Sequence, residues 1–76
     1  MDREALLIRL AILRVRAGLP VAGLRNIDRA LDAVSHGATF RLDGVGSVLI
    51  YPDATPSSGI RVSARELSQL ARIRHP

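Results

Sequence analysis

The chain has 76 residues, a net charge of +4, 47% apolar residues and no cysteine. We expect one compact domain over residues 1–76, and the apolar content excludes a disordered polar tail. The lack of cysteine excludes disulfides and thiolate metal sites, so a chain this small is expected to gain stability by dimerisation.

The first predicted helix, over residues 2–17, is apolar on two opposite sides. At about 100° per residue, one stripe contains Leu6, Leu10, Leu13 and Ala17, and a wider stripe contains Leu7, Ile8, Ala11, Ile12 and Val15. An ordinary surface helix has one apolar stripe. We therefore predict a homodimer through this helix, with the first stripe, Leu6, Leu10, Leu13 and Ala17, as its interface. The alternative is a helix sandwiched between its own second helix and the sheet.

Arginines interrupt the apolar run of this helix. They exclude a signal peptide and a membrane span, because both need a continuous apolar stretch. We therefore expect a soluble, cytoplasmic protein that does not bind a membrane.

A second helix is predicted over residues 21–36, with Gly37 as its C-cap, and forms an αα-hairpin with the first. A strand over residues 38–42, the turn signal Asp43-Gly44 and a second strand over residues 45–51 then predict a β-hairpin. The register stays open, because Gly44 and Gly46 could also bracket a four-residue loop.

The polar segment 52–59 is predicted to be a mobile loop. Ile60–Val62 has the pattern of a short third strand, and Ser63 and Glu66 form a capping box that opens a last helix over about residues 64–74. The predicted order is α-α-β-β-(β)-α, which belongs to the α+β class.

Catalytic signatures are missing from the sequence. Its serines, histidines and carboxylates show neither triad nor metal-ligand spacing, and its glycines form no phosphate-binding motif. We therefore expect a protein that is not an enzyme, with no catalytic residue, no cofactor and no metal.

The candidate partner-binding surface is basic. Arg65, Gln69 and Arg72 follow one face of the last helix, and Arg41 and Arg61 are expected to extend this surface across the outer face of the sheet. Arginine is enriched at protein–protein hot spots, whereas Arg and Gln on a helix also read bases in the major groove. A solvated face without a partner is the third interpretation.

Small size, dispersed arginines and the lack of a catalytic motif resemble small inhibitor proteins of phages and other mobile elements, such as the anti-CRISPR proteins. The resemblance implies a non-enzymatic homodimer that occupies the surface of a partner protein, for example in a nucleic-acid-handling complex. The alternative function is a dimeric regulator that binds double-stranded DNA through its C-terminal basic helix, and an assembly role is a third.

Overall fold

The computed structural model describes the backbone of residues 2–53 and 59–73, and the side chains of residues 2–53 and 59–68. The elements follow the order α1 (Arg3–Arg16), α2 (Val21–Ser35), β1 (Thr39–Leu42), β2 (Val48–Tyr51), β3 (Ile60–Val62) and α3 (Ala64–Ile73). The three strands form one antiparallel sheet in the order β1-β2-β3. The α+β class is confirmed, and the short third strand joins the sheet. Residues 54–58 of the predicted mobile loop lie outside the described residues.

Local signals set the limits of α1. The Asp2 carboxylate accepts a hydrogen bond of 2.7 Å from the N–H of Ala5, which makes Asp2 the N-cap. After the helix, Gly18 takes a φ of 63°, a left-handed conformation that glycine adopts without strain and that turns the chain towards α2.

Two arginines of α1 hold it against α2. The Nη1 atom of Arg3 donates to the carbonyl oxygens of Val34 and Ala38 at 3.0 and 2.7 Å, at the end of α2 and just before β1. Further along the helix, Arg14 forms an ion pair with Asp28 of α2. The αα-hairpin is therefore linked at two points, in addition to its apolar packing.

The core lies between the helices and one face of the sheet, and it contains the first stripe of α1. Leu6, Leu10 and Leu13 are fully buried, and Ala17 packs against the same core. The predicted dimer interface is therefore wrong, because these leucines have no surface to offer to a second copy. The physical reason is that α1 packs against both α2 and α3, and the leucine stripe belongs to one core cluster with residues of α2 and the sheet.

The second stripe of α1 faces outwards. Ile8 is 55% and Val15 is 75% exposed, and Ala11 is also exposed. Ile12 is partly buried, and Leu7 packs against the core. The alternative of a sandwiched helix is therefore also wrong, since most of this stripe is uncovered in the single chain.

The turn of the β-hairpin is longer than the Asp43-Gly44 signal predicts. Leu42 pairs with Val48, so the loop spans residues 43–47 and β2 begins three residues later than predicted. The Asp43 Oδ1 atom accepts hydrogen bonds from the N–H groups of Val45 and Ser47 at 2.9 and 3.0 Å. Gly46 takes a φ of 86°, which lets the chain return to the strand. These contacts favour a five-residue loop, closer to the alternative in which the glycines bracket a longer turn.

Candidate interaction surface

The outer face of the sheet brings together two of the predicted binding residues. Side chains alternate along a strand, and Val48, Ile50, Ile60 and Val62 point into the core. The residues between them therefore lie on the opposite side. We call this set the outer sheet face; it consists of Thr39, Arg41, Leu49, Tyr51 and Arg61.

A row of three residues crosses the middle of the outer sheet face. Leu49 on the central strand pairs with Arg41 on one side and with Arg61 on the other. Because neighbouring strands lie about 4.8 Å apart, the Cα atoms of the two arginines are about 10 Å apart. Leu49 separates them, so the two cations avoid the directly opposite position in which like charges destabilise a sheet.

Arg41 is positioned by an aromatic ring. Its guanidinium carbon lies 5.9 Å from the centroid of the Tyr51 ring, within the range of a cation–π interaction. Tyr51 itself stands opposite Thr39 in the register. The contact holds the cation and the ring on the same part of the outer sheet face, where Arg41 is exposed and Tyr51 is partly exposed.

Arg61 is positioned by the hairpin loop and by α2. Its Nη2 atom donates to Ser47 Oγ at 3.3 Å and lies 3.8 Å from Asp43 Oδ2. On the backbone, the carbonyl oxygen of Arg61 accepts a hydrogen bond of 2.8 Å from Asn26 Nδ2. The side chain of Arg61 remains 60% exposed, so it is both anchored and accessible.

Asp43 is the anion at the edge of this surface. The N–H of Val45 is the largest cause that holds the pKa of Asp43 below its ordinary value of 3.8, and the N–H of Ser47 and the charges of Arg61 and Arg41 act in the same direction. Partial burial opposes the shift but does not reverse it. The carboxylate therefore stays charged at neutral pH and maintains the loop that supports Arg61.

Ser47 connects this loop to α3, a role that sequence reasoning missed. The side chain is 1% exposed, and its hydroxyl accepts hydrogen bonds from the N–H of Ala64 at 3.2 Å and from Arg61. The local sequence feature that could have drawn attention to Ser47 is its position directly before the apolar strand β2. Both partners are distant along the chain, so that signal does not reveal them.

The remaining predicted binding residues belong to α3. Ser63 Oγ accepts from the N–H of Glu66 at 3.1 Å and donates to Glu66 Oε1 at 3.2 Å, which confirms the capped start of this helix. Arg65 is exposed in its first turn. Gln69 and Arg72 are part of the helix, but their side chains lie outside the described residues. The structure therefore unites Arg41 and Arg61, and it places Arg65 on a separate element.

A pocket of about 410 Å³ lies beside the C-terminal half of α2, and its lining includes both charged residues, such as Arg29, Asp32 and Asp53, and apolar ones, such as Ile60. The Nδ1 atom of His36 lies 3.4 Å from a carboxylate oxygen of Asp32. Among the residues that the structure describes, no group of three or more potential ligands could hold a metal ion. The same residues include no helix that is long and apolar enough to cross a membrane.

Comparisons with known protein families, with curated proteins and with solved structures returned no match. Among the features described, the outer sheet face is the one that combines exposed cations, an apolar centre and fixed geometry.

Proposed function

We propose that the chain is a small non-enzymatic binding protein that acts by occupying the surface of a partner protein with its outer sheet face. The observation that supports this most is the cross-strand row in which Leu49 lies between Arg41 and Arg61. Protein interfaces are enriched in aromatic residues and arginine, and an apolar centre surrounded by polar groups is their usual arrangement. Leu49 and Tyr51 would supply the centre, and the two guanidiniums would lie beside it.

The chemistry of this surface favours an acidic partner. A guanidinium binds a carboxylate through two parallel hydrogen bonds, so the complementary surface would carry carboxylates on either side of an apolar side chain. The net charge of +4 adds a long-range attraction to acidic surfaces. Because Asp43 lies beside Arg61, this guanidinium is already oriented before the partner arrives.

We further propose that the chain forms a homodimer through α1 and is located in the cytoplasm. The dimer is supported by Ile8 and Val15, two large apolar side chains that remain exposed on the outer stripe of this helix. The location is supported by the arginines that interrupt the apolar run of α1.

Double-stranded DNA is a second candidate partner. It is favoured by Arg65, which is exposed in the first turn of α3, while the neighbouring Glu66 turns towards Ser63. The start of α3 therefore presents a cation, and the N-terminal residues of a recognition helix are those that contact base edges.

A charge-matched pair of variants tests the proposal. Arg41→Gln/Arg61→Gln removes two positive charges from the outer sheet face, and Arg25→Gln/Arg29→Gln removes two exposed charges from α2. In affinity capture from a nuclease-treated lysate, we expect proteins that bind wild type and the α2 variant but not the outer-face variant. When the captured protein is purified and tested again, it should bind wild type and the α2 variant but not the outer-face variant. Loss of binding with both variants would mean that general charge, and not this surface, attracts the partner.

A titration with a labelled DNA duplex separates the second candidate. Protein binding through the outer sheet face predicts that Arg65→Gln does not change the weak, charge-driven binding to the duplex at about 50 mM salt. DNA binding through α3 predicts tighter binding that depends on Arg65 and weakens steeply by about 200 mM salt. Loss of that binding in Arg65→Gln, with retention in Arg41→Gln/Arg61→Gln, would favour the DNA regulator and contradict the role of the outer sheet face.

A further inference from the structure

We infer that a second copy of this chain docks in parallel on the exposed side of α1, through a seam formed by Ala5, Ile8, Ile12 and Val15. The inference rests on the homodimer included in the proposed function, and it specifies the face and the direction of that dimer. It replaces the leucine stripe, which the core of the single chain already covers.

The spacing of the seam is that of a short coiled coil. Its residues are separated by three, four and three positions, as are the a and d positions of two consecutive heptads. At 3.6 residues per turn, the seam lies on the opposite side of α1 from the leucine stripe. Ile8 and Val15, at the d positions, are 55% and 75% exposed, and Ala5 and Ile12, at the a positions, are partly buried.

Charges beside the seam select a second copy and a parallel direction. In this register Glu4 occupies a g position, and Arg9 and Arg16 occupy e positions. In a parallel pair, g residues of one helix lie beside e residues of the other, so each Glu4 would meet Arg9 of the second copy. In an antiparallel pair, e residues would face e residues, and arginine would meet arginine. The single chain therefore carries both halves of a complementary pattern.

The seam is short, and α1 is already ordered. A free helix of this length is marginal in water, but α1 is fixed by its packing against α2 and α3 before a second copy arrives. Docking therefore avoids the cost of ordering a helix, which otherwise weakens association. Because two heptads form a smaller contact than a standard interface, we expect a reversible, concentration-dependent dimer.

Charge reversal across the seam tests the inference. The two contacts between position 4 of one copy and position 9 of the other form the flanks of the dimer. Glu4→Arg places two arginines at each flank, and Arg9→Glu places two glutamates there. Each variant alone should weaken the dimer about tenfold, as expected when two surface ion pairs become repulsive. An equimolar mixture should form a heterodimer with nearly wild-type affinity, because every flank then joins opposite charges. Sedimentation equilibrium gives the dissociation constants, and circular dichroism verifies that each variant is folded.

Two controls complete the test. Arg25→Glu makes the same charge change as Arg9→Glu on the exposed side of α2, and should leave the dissociation constant unchanged. Ile8→Asp/Val15→Asp should give a folded monomer, since both side chains are exposed in the single chain. A monomeric wild type, or a mixture of the two charge variants that fails to associate, would overturn the parallel seam.

The same variants separate this inference from the proposed function. Arg41→Gln/Arg61→Gln should lose the partner protein and remain dimeric, whereas Ile8→Asp/Val15→Asp should lose the dimer and still bind the partner through the outer sheet face. If Arg41→Gln/Arg61→Gln still binds the partner protein, the outer sheet face is misassigned. If Ile8→Asp/Val15→Asp is still dimeric, the seam on α1 is misassigned.

Discussion

Replacing Leu10 by alanine should destabilise the fold far more than replacing Ile8, although both residues belong to the same helix. Leu10 is fully buried, and Leu→Ala at such a site costs about 2.7–5 kcal/mol through lost transfer energy and the cavity that remains. Ile8 is 55% exposed. Full burial of isoleucine contributes about 1.5–3 kcal/mol, and alanine retains part of the contact, so Ile8→Ala should cost less than about 1 kcal/mol.

The difference is large compared with the stability of so small a chain. At about 0.05–0.15 kcal/mol per residue, we expect a total free energy of unfolding of about 4–11 kcal/mol. Leu10→Ala would therefore remove a quarter of it at the least, and Leu10→Asp, which buries an unpaired carboxylate, should unfold the chain. Ile8→Ala should leave a cooperative fold close to wild type.

Urea unfolding followed by circular dichroism measures both costs. At low protein concentration, where the proposed dimer dissociates, the two variants should differ as stated. At high concentration, Ile8→Ala should lose additional apparent stability relative to wild type, because its contact with a second copy is weakened. Equal losses for Leu10→Ala and Ile8→Ala at low concentration would refute the inward orientation of the leucine stripe.

Three further predictions concern the loop and the cap that support the outer sheet face. Ser47→Ala removes the hydroxyl that accepts hydrogen bonds from the Ala64 N–H and from Arg61. It should lower the free energy of unfolding in urea by about 1–3 kcal/mol. Ser35→Ala on the surface is the control, and equal effects of the two substitutions would contradict the buried role of Ser47. Ser63→Ala removes the N-cap of α3 and should cost about 1 kcal/mol; an unchanged unfolding curve would mean that this helix begins elsewhere. Because the folded pKa of Asp43 is lowered from 3.8, its stabilising contribution is present above that value and is lost as pH falls through the folded pKa. Unfolding titrations at decreasing pH should therefore show a weaker pH dependence for Asp43→Asn than for wild type, and identical slopes would argue against the assigned contacts.

Local signals predicted most of the element limits. The N-cap at Asp2, the positive φ of Gly18 and the side-chain cap at Ser63 each depend on residues within one turn. The sequence alone therefore indicates where α1 begins and ends and where α3 begins. Periodicity also identified the two stripes of α1. It could not tell which stripe faces the core, because that depends on where α2 and α3 pack, and the narrower leucine stripe is the buried one.

The β-hairpin at the candidate site shows the same limit of prediction from local sequence signals. The Asp43-Gly44 signal is local, but the observed loop extends to Ser47, whose hydroxyl contacts Ala64 and Arg61 far along the chain. The turn length then fixes the register, and the register places Leu49 between the two arginines. Sequence reasoning predicted that Arg41 and Arg61 share a face, but not the apolar residue between them.

The most direct measurement is affinity capture with wild type, Arg41→Gln/Arg61→Gln and Arg25→Gln/Arg29→Gln as baits in parallel, quantified protein by protein after nuclease treatment. If the outer sheet face binds an acidic surface of a partner protein, a protein recovered with wild type should also be recovered with the α2 variant. With the outer-face variant its recovery should fall about tenfold or more, as expected for the loss of at least one hot-spot arginine. Undiminished recovery with the outer-face variant, or an equal decrease with both variants, would contradict binding through this surface.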